Sequence, residues 1–132
     1  MLYTREQIPL KVHEFIELLN HEGKAGARVI VEGKKDELAL REVGFKGEIL
    51  VYNNFKGIIN FVDHVSRKRR KVILLLDRDR NGKSLTSKIL KKLDVSCPHD
   101  GLYYKKRFVE ITHGKIMCIE NLSNFCLPLV EN

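Results

Sequence analysis

Three aliphatic runs, separated by segments with helical periodicity, constrain the fold of this 132-residue chain more than any other feature. The runs cover about residues 27–31, 48–52 and 72–76, and all are short and rich in Val, Ile or Leu. Runs of this kind are typical of strands that are buried on both faces of a parallel sheet. Because the strands alternate with helices, we expect an α/β fold with right-handed crossovers.

The helical segments are marked by apolar spacing and by end signals. A capping-box pattern at Thr4 and Gln7 precedes the first helix, which is predicted to stop near Gly23 and to pack against the sheet. Gly44 is a natural end for the second helix. Asn54 is predicted to cap the third. The later helices are expected at about residues 35–43, 54–65 and 82–93.

The last third of the chain allows two interpretations. Val95 to Cys97, before Pro98, is predicted to form a short fourth strand. The residues that follow fit a helix that ends at Gly114, or a hairpin that turns at His113 and Gly114. We favour the helix, because apolar side chains recur at helical spacing in this segment.

Composition limits the class of protein. A hydrophobic content of 43% is enough for one core, and no stretch approaches the roughly 20 apolar residues of a membrane span. The first residues lack the apolar core of a signal peptide, and an odd count of three cysteines argues against a disulfide framework. We therefore expect a cytoplasmic protein with no membrane partner.

Positive charge is concentrated in one part of the chain. The net charge is +7 and the pI about 9.4, which favours a polyanionic partner such as RNA or DNA. Residues 67–92 carry eleven basic and two acidic side chains. The run Arg67, Lys68, Arg69, Arg70 and Lys71 is a candidate phosphate-binding patch, although such a run can also simply keep a loop solvated.

Two acidic motifs, set 45 residues apart, each follow an aliphatic run. The first runs from Glu32 to Asp36, and the second from Asp77 to Gly82. Both are predicted to be turns at the carboxyl ends of parallel strands, which is where open α/β sheets bind ligands. The two motifs are therefore expected to form one site.

Carboxylates in this pattern suit a divalent cation. Asp77 and Asp79 leave the same face of an extended chain, so their charges converge and favour Mg²⁺, which keeps waters and accepts phosphate oxygens. Glu32 could bind the metal or act as general acid or base. An EF-hand is excluded, because its twelfth position would be Lys88.

Taken together, the order and spacing of these motifs resemble those of the Toprim domain. That family includes topoisomerases, bacterial-type primases, 5S ribosomal RNA maturation nucleases and OLD-family nucleases, and this chain is most similar to the small Toprim proteins of archaea. The resemblance covers about residues 27–97. It implies a mainly parallel four-stranded sheet between helices, with a divalent-metal site at its carboxyl edge.

The resemblance also implies roles for individual residues. Glu32 corresponds to the family's general acid or base and metal partner, while Asp77 and Asp79 correspond to its Mg²⁺ ligands. Asp36 fits a commonly acidic position, where it would support the site or only favour the helix dipole. One or two ions are expected, and Mn²⁺ can substitute. Phosphate contacts without a secure family assignment are expected from Lys34, Arg80 and Lys83.

Two functions remain open. The first is a metal-dependent nuclease that hydrolyses phosphodiester bonds. The second is a metal- and nucleic-acid-binding accessory subunit, with protein partners in a processing complex and little or no turnover. The chain is too short to be a complete topoisomerase or primase. We expect residues 1–26 to be a helical extension, 27–112 the Toprim domain and 113–132 a tail packed on it.

Overall fold

The chain folds into five α-helices and three strands within the residues that the structure, a computed structural model, describes. Those residues are 7–76, 80–93, 97–100 and 103–112. The elements, in chain order, are α1 (Gln7–Lys24), β1 (Arg28–Val31), α2 (Lys34–Glu42), β2 (Glu48–Val51), a 3₁₀ turn (Tyr52–Asn54), α3 (Gly57–Ser66), β3 (Val72–Leu74), α4 (Arg80–Lys92) and α5 (Tyr103–Thr112).

The strands form a parallel sheet in the order β2, β1, β3. Arg28 of β1 is in register with Glu48 on one side and with Val72 on the other. A short fourth strand was expected at Val95 to Cys97, and in the described part of the chain β3 has one further parallel bridge, between Val72 and His99. Residues 94–96, which include most of that predicted strand, lie outside the described residues.

Successive strand residues face opposite sides, so the sheet has a core on each face. On one face, Val29 and Ile73 pack with Phe15 of α1 and Phe108 of α5, and α2 adds to this core. On the other, Ile30 and Leu74 belong to the core formed with α3 and α4. Burial on both sides explains the aliphatic runs of β1 and β3, whereas β2 is less buried and begins with the exposed Glu48. The mixed α/β architecture, the parallel sheet and the packing of the N-terminal helix are confirmed.

Helix ends follow the sequence signals at one boundary and depart from them at another. Gly44 has φ +102° just beyond α2, as predicted for a helix-ending glycine. The prediction that Asn54 caps the third helix is wrong, because Asn54 lies in the 3₁₀ turn and Lys56 is the N-cap of α3. Phe55 stays extended between them, with its ring 5.0 Å from that of Phe61, and this packing delays the helix.

The end of the chain supports one of the two earlier alternatives. Residues 103–112 form α5, a helix rather than a strand of a hairpin. Residues 113–132, the predicted tail, lie outside the described part, so its packing and the three-part division of the chain stay predictions.

Candidate metal and nucleic-acid site

The carboxyl ends of the three strands meet along one side of the sheet, here called the carboxyl edge. Glu32 follows β1 at this edge, and its side chain is half-buried. The amide of Asn53, just beyond β2, donates to the Glu32 carbonyl at 3.0 Å, and the Leu75 amide donates to a β1 carbonyl at 2.9 Å. Glu32 and Leu76, the residue that precedes Asp77 in the chain, therefore lie on neighbouring strand ends.

The predicted metal ligands of the second motif, Asp77 and Asp79, lie outside the described residues. Among the described ones, no three His, Cys, Asp or Glu side chains are grouped closely enough to share a metal ion. The carboxylate that the structure does describe, Glu32, stands at the expected edge and offers the oxygen donors that Mg²⁺ and Mn²⁺ prefer. The Glu32 carboxylate therefore fits the predicted metal site.

Asp36 has a structural task in the first motif. Its side chain is only 6% exposed, and one carboxylate oxygen accepts a hydrogen bond from the Gly33 amide at 3.0 Å. Gly33 is the N-cap of α2, so Asp36 binds back to the cap as the third residue of a capping box does. With φ −133°, Gly33 is in extended backbone that any residue adopts, and its place requires no special conformation.

The lysines predicted to contact phosphate begin the helices on each side of the edge. Lys34 opens α2 and pairs with Glu37 at 2.9 Å, in an exposed ion pair that contributes little to stability. Lys83 is exposed in the first turn of α4. Arg80 is the first residue of α4, and its side chain is outside what the structure describes. Helix N-termini at this edge favour anions, because their amides point toward the ligand.

Two polar side chains make hydrogen bonds near the ends of β3, where a fourth strand would pair. The ammonium of Lys105, on α5, donates to the Leu76 carbonyl at 2.6 Å, and the residue as a whole is 9% exposed. Near the other end of the strand, the Asp100 carboxylate accepts from the Tyr104 amide at 3.2 Å, and burial raises the pKa of Asp100. The sequence analysis did not predict a role for Lys105 at this edge. The available signal for such a role was its position next to the apolar stripe of α5.

The basic run lies along the opposite side of the sheet, here called the amino edge, where strands begin. Three of its five charges have acidic partners. Arg67 pairs with Asp63 at 2.8 Å and Lys71 with Glu22 at 2.9 Å, while Arg70 pairs with an acidic residue of β2, Glu48. Within the described part of the chain, the exposed side chains of Lys68 and Arg69 have no ion pair.

A buried arginine fixes this basic loop. Arg28 is 1% exposed, and its guanidinium donates to the carbonyls of Val65, Lys68 and Arg70 at 3.3, 3.1 and 2.7 Å. Burial lowers the pKa of Arg28, although the guanidinium stays charged because its ordinary pKa is so high. These bonds satisfy carbonyls at the end of α3 and in the loop, and they hold the backbone that presents the two remaining charges.

The two tyrosines at the start of α5 have different surroundings. Tyr104 is buried, and its hydroxyl donates to Glu22 at 2.7 Å. Tyr103 is 53% exposed and packs against Tyr104 and beneath the Arg107 guanidinium. Tyr104 is therefore unavailable to a base, whereas Tyr103 is accessible.

Comparison with known proteins identifies the fold family. The Toprim domain profile matches residues 26–99, more than half of the chain and both acidic motifs. The chain belongs to the Toprim family. Among its relatives, the UPF0292 protein of Thermoplasma volcanium is 46% identical over 57 residues, a match that spans 43% of this chain and 48% of that protein.

Longer matches place this Toprim protein with small archaeal relatives. A UPF0292 protein of Archaeoglobus fulgidus is 30% identical over 85% of this chain and 86% of its own length. The UPF0292 protein TK1411 of Thermococcus kodakarensis is 31% identical over 93% of this chain and 91% of its own. A solved structure, a putative protein from Aquifex aeolicus, superposes with a TM-score of 0.66 at 28% identity, covering 82% of this chain and 94% of that one.

The family fits the described geometry. A Toprim domain accounts for the parallel sheet, for Glu32 at its carboxyl edge, and for an involvement with metal and nucleic acid in general terms. None of the helices in the described ranges is both long and apolar enough to cross a bilayer.

Proposed function

We propose that this Toprim protein is a Mg²⁺-dependent nuclease that hydrolyses phosphodiester bonds. The observation that carries the proposal is that Glu32 follows β1 at the carboxyl edge, next to the end of β3, from which the chain continues toward Asp77 and Asp79. Placed at the same edge, the three carboxylates would suit one or two divalent ions, and Mn²⁺ can replace Mg²⁺ because it accepts the same oxygen ligands.

Each acid has a task in the proposed mechanism. Asp77 and Asp79 would hold the metal, which when bound supplies Lewis-acid stabilisation of charge on the phosphate and activation of water. Glu32 would move a proton at the scissile phosphate as general acid or base. The amide of Asn53 holds the Glu32 backbone at the edge, where the Glu32 side chain is half-buried.

Basic groups would hold the rest of the nucleic acid. At the carboxyl edge we assign phosphate contacts to Lys34, Arg80 and Lys83, beside the helix N-termini. At the amino edge, the loop of residues 67–71 is a second contact, with Lys68 and Arg69 exposed for it. We assign Asp36 a supporting role, since it caps the helix that follows Glu32.

A second candidate is an accessory subunit that binds metal and nucleic acid with slow or no turnover, as part of an RNA- or DNA-processing complex. The observation that favours it is the basic loop, which lies at the edge opposite the acids and is held in place by Arg28. A docking surface remote from the acids would serve binding without cleavage.

Cleavage assays separate the two candidates. Single-stranded and structured RNA and DNA are incubated with Mg²⁺ or Mn²⁺ and the wild-type protein, Glu32→Gln or Asp77→Asn. The nuclease proposal predicts metal-dependent products with the wild type and a loss of about a hundredfold or more in both variants. Equal activity in all three proteins would refute the site. No cleavage with any protein, together with intact binding, would support the accessory subunit.

A further inference from the structure

A groove of about 700 Å³ separates α4 from α5. The two helices pack on opposite faces of the sheet, so the groove follows the edge of β3. Its lysines are Lys83 of α4 and Lys105 and Lys106 of α5, and its apolar lining includes Leu90 and Val109. The groove therefore joins an apolar surface to the exposed side chains of Lys83 and Lys106, while the Lys105 ammonium is bonded to the Leu76 carbonyl.

The charge of the groove is complementary to a phosphate backbone. Glu110 is the acidic residue in its described lining, against the two exposed lysines Lys83 and Lys106. Aliphatic side chains between cationic ones can contact base faces while the ammonium groups meet the phosphates. The hydroxyl-bearing side chains of Thr86 and Ser87 also line this space.

The groove leads to the proposed catalytic edge. Lys105 lines it and donates to the carbonyl of Leu76, the residue that precedes Asp77. Lys83 lies in the first turn of α4, which begins at Arg80, within the second acidic motif. A chain held along the groove would therefore have one end at the carboxyl edge.

The lining of the groove distinguishes between nucleic-acid forms. Leu90 and Val109 offer apolar contact to base faces. A duplex keeps its base faces stacked, whereas the bases of a single strand are free to turn toward such a surface. The lining therefore favours a single strand.

We propose that the groove between α4 and α5 binds a single strand of RNA or DNA and delivers it to the acidic edge. Delivery of the strand to the acidic edge rests on the proposed nuclease function. Binding of the strand in the groove can be measured without cleavage. The proposed occupant is a polyanionic single strand. The alternative, that residues 113–132 of the chain itself occupy the groove, is detected by the experiments below.

Charge substitution tests the walls of the groove. Binding of a fluorescent 12-nucleotide single strand is followed by anisotropy in EDTA, so that no metal-dependent cleavage occurs. Lys83→Gln/Lys106→Gln is expected to weaken binding about tenfold and to reduce the salt slope by about 1.4, the value for two single-strand phosphate contacts. Lys91→Gln/Lys92→Gln removes the same charge from the last turn of α4, outside the groove lining, and is expected to have a smaller effect.

Bulk substitution tests the space without changing charge. Ser87→Trp places an indole in the groove, whereas Ser84→Trp, on the same helix and equally exposed, adds it outside the described lining. We expect Ser87→Trp to weaken single-strand binding at least fivefold and Ser84→Trp to leave it near the wild-type value. A duplex of the same sequence should bind both variants alike.

Two results would overturn the inference. One is equal single-strand affinity and salt slope for the groove and control variants. The other is unchanged binding by Ser87→Trp with a reduced free energy of unfolding, which would indicate that residues 113–132 cover the groove. Neither result depends on cleavage. If the groove binds single strands but the cleavage assay shows no products, only the nuclease proposal is refuted.

Discussion

The two edges of the sheet carry charge in different ways. At the amino edge, most of the basic run is committed to the fold, because Arg67, Arg70 and Lys71 have acidic partners. At the carboxyl edge, Glu32 is fixed through its backbone, and its side chain is half-buried at the strand ends. A dense cluster in the sequence can thus be mostly structural, while a few dispersed acids form the stronger candidate for chemistry.

The same contrast extends to the buried charges. Arg28 holds the loop at the amino edge by donating to three carbonyls, whereas Lys105 holds one carbonyl at the end of β3, beside the acidic motif. One cation fixes a surface loop and the other fixes a strand end in the candidate site. The first substitution below tests the role of Arg28.

The largest effect is expected at Arg28. Arg28→Met keeps the aliphatic stem but leaves three carbonyls without their buried donor, which should reduce the free energy of unfolding by about 3 kcal/mol. Denaturant titration measures this change. Arg67→Met, in an exposed ion pair with Asp63, is the control and should cost less than about 0.5 kcal/mol. A loss below about 1 kcal/mol for Arg28→Met would refute the anchoring role.

The next effect concerns the two exposed charges of the basic loop. Lys68→Gln/Arg69→Gln should weaken nucleic-acid binding about tenfold at low salt and lower the salt slope by about 1 to 2, without changing stability. Anisotropy titrations over a range of salt concentrations, beside Lys91→Gln/Lys92→Gln, test this. If both pairs have the same effect, the loop contributes only to net charge.

A smaller effect is expected from the contact that joins α1 to the amino edge. Glu22 accepts from Lys71 at 2.9 Å and from the Tyr104 hydroxyl at 2.7 Å. The bond from Lys71 is the main reason that the pKa of Glu22 lies below its ordinary value of 4.5. Because the folded pKa is lowered, this contact stabilises the protein above pH 4.5 and loses that effect as pH falls through the folded pKa.

Glu22→Gln measures that contribution. We expect the variant to lose about 1 kcal/mol of unfolding free energy at pH 7, after allowance for the part of the pair that solvent screens. The difference from the wild type should shrink as pH falls below 4.5. A difference that stays constant from pH 7 to pH 3 would contradict the assigned role of Glu22.

The smallest effect tests Asp36 at the carboxyl edge. Asp36→Ala removes the acceptor for the Gly33 amide and should cost about 0.5 to 1 kcal/mol. Asp36→Asn retains an oxygen acceptor, so it should keep most of the stability and change metal affinity little. If Asp36→Asn reduces metal affinity as strongly as Glu32→Gln does, Asp36 is a metal partner rather than a cap.

Local signals in the sequence predicted most of the fold. Aliphatic runs gave the three strands within two residues at each end, and Gly44 ends its helix as expected. Asn54 failed as a cap because the packing of Phe55 on Phe61, a tertiary contact, keeps Phe55 extended, and the helix begins only at Gly57.

Contacts between residues that are far apart in the chain could not be predicted from the sequence. Lys71 lies 49 positions from Glu22, and Lys105 lies 29 from Leu76. No local pattern predicts such pairs, since they depend on how helices pack across the sheet. The position of Glu32 was predictable for the opposite reason: it follows directly from the end of a strand.

The central claim is that Glu32, Asp77 and Asp79 bind the same divalent ion. Calorimetric titration of Mn²⁺ into the wild type, Glu32→Gln, Asp77→Asn and the double variant tests it without requiring catalysis. We predict that each single variant weakens binding at least tenfold and that the double variant loses less than the sum of the two, because both ligands serve one ion. Wild-type affinity in both single variants would contradict the claim.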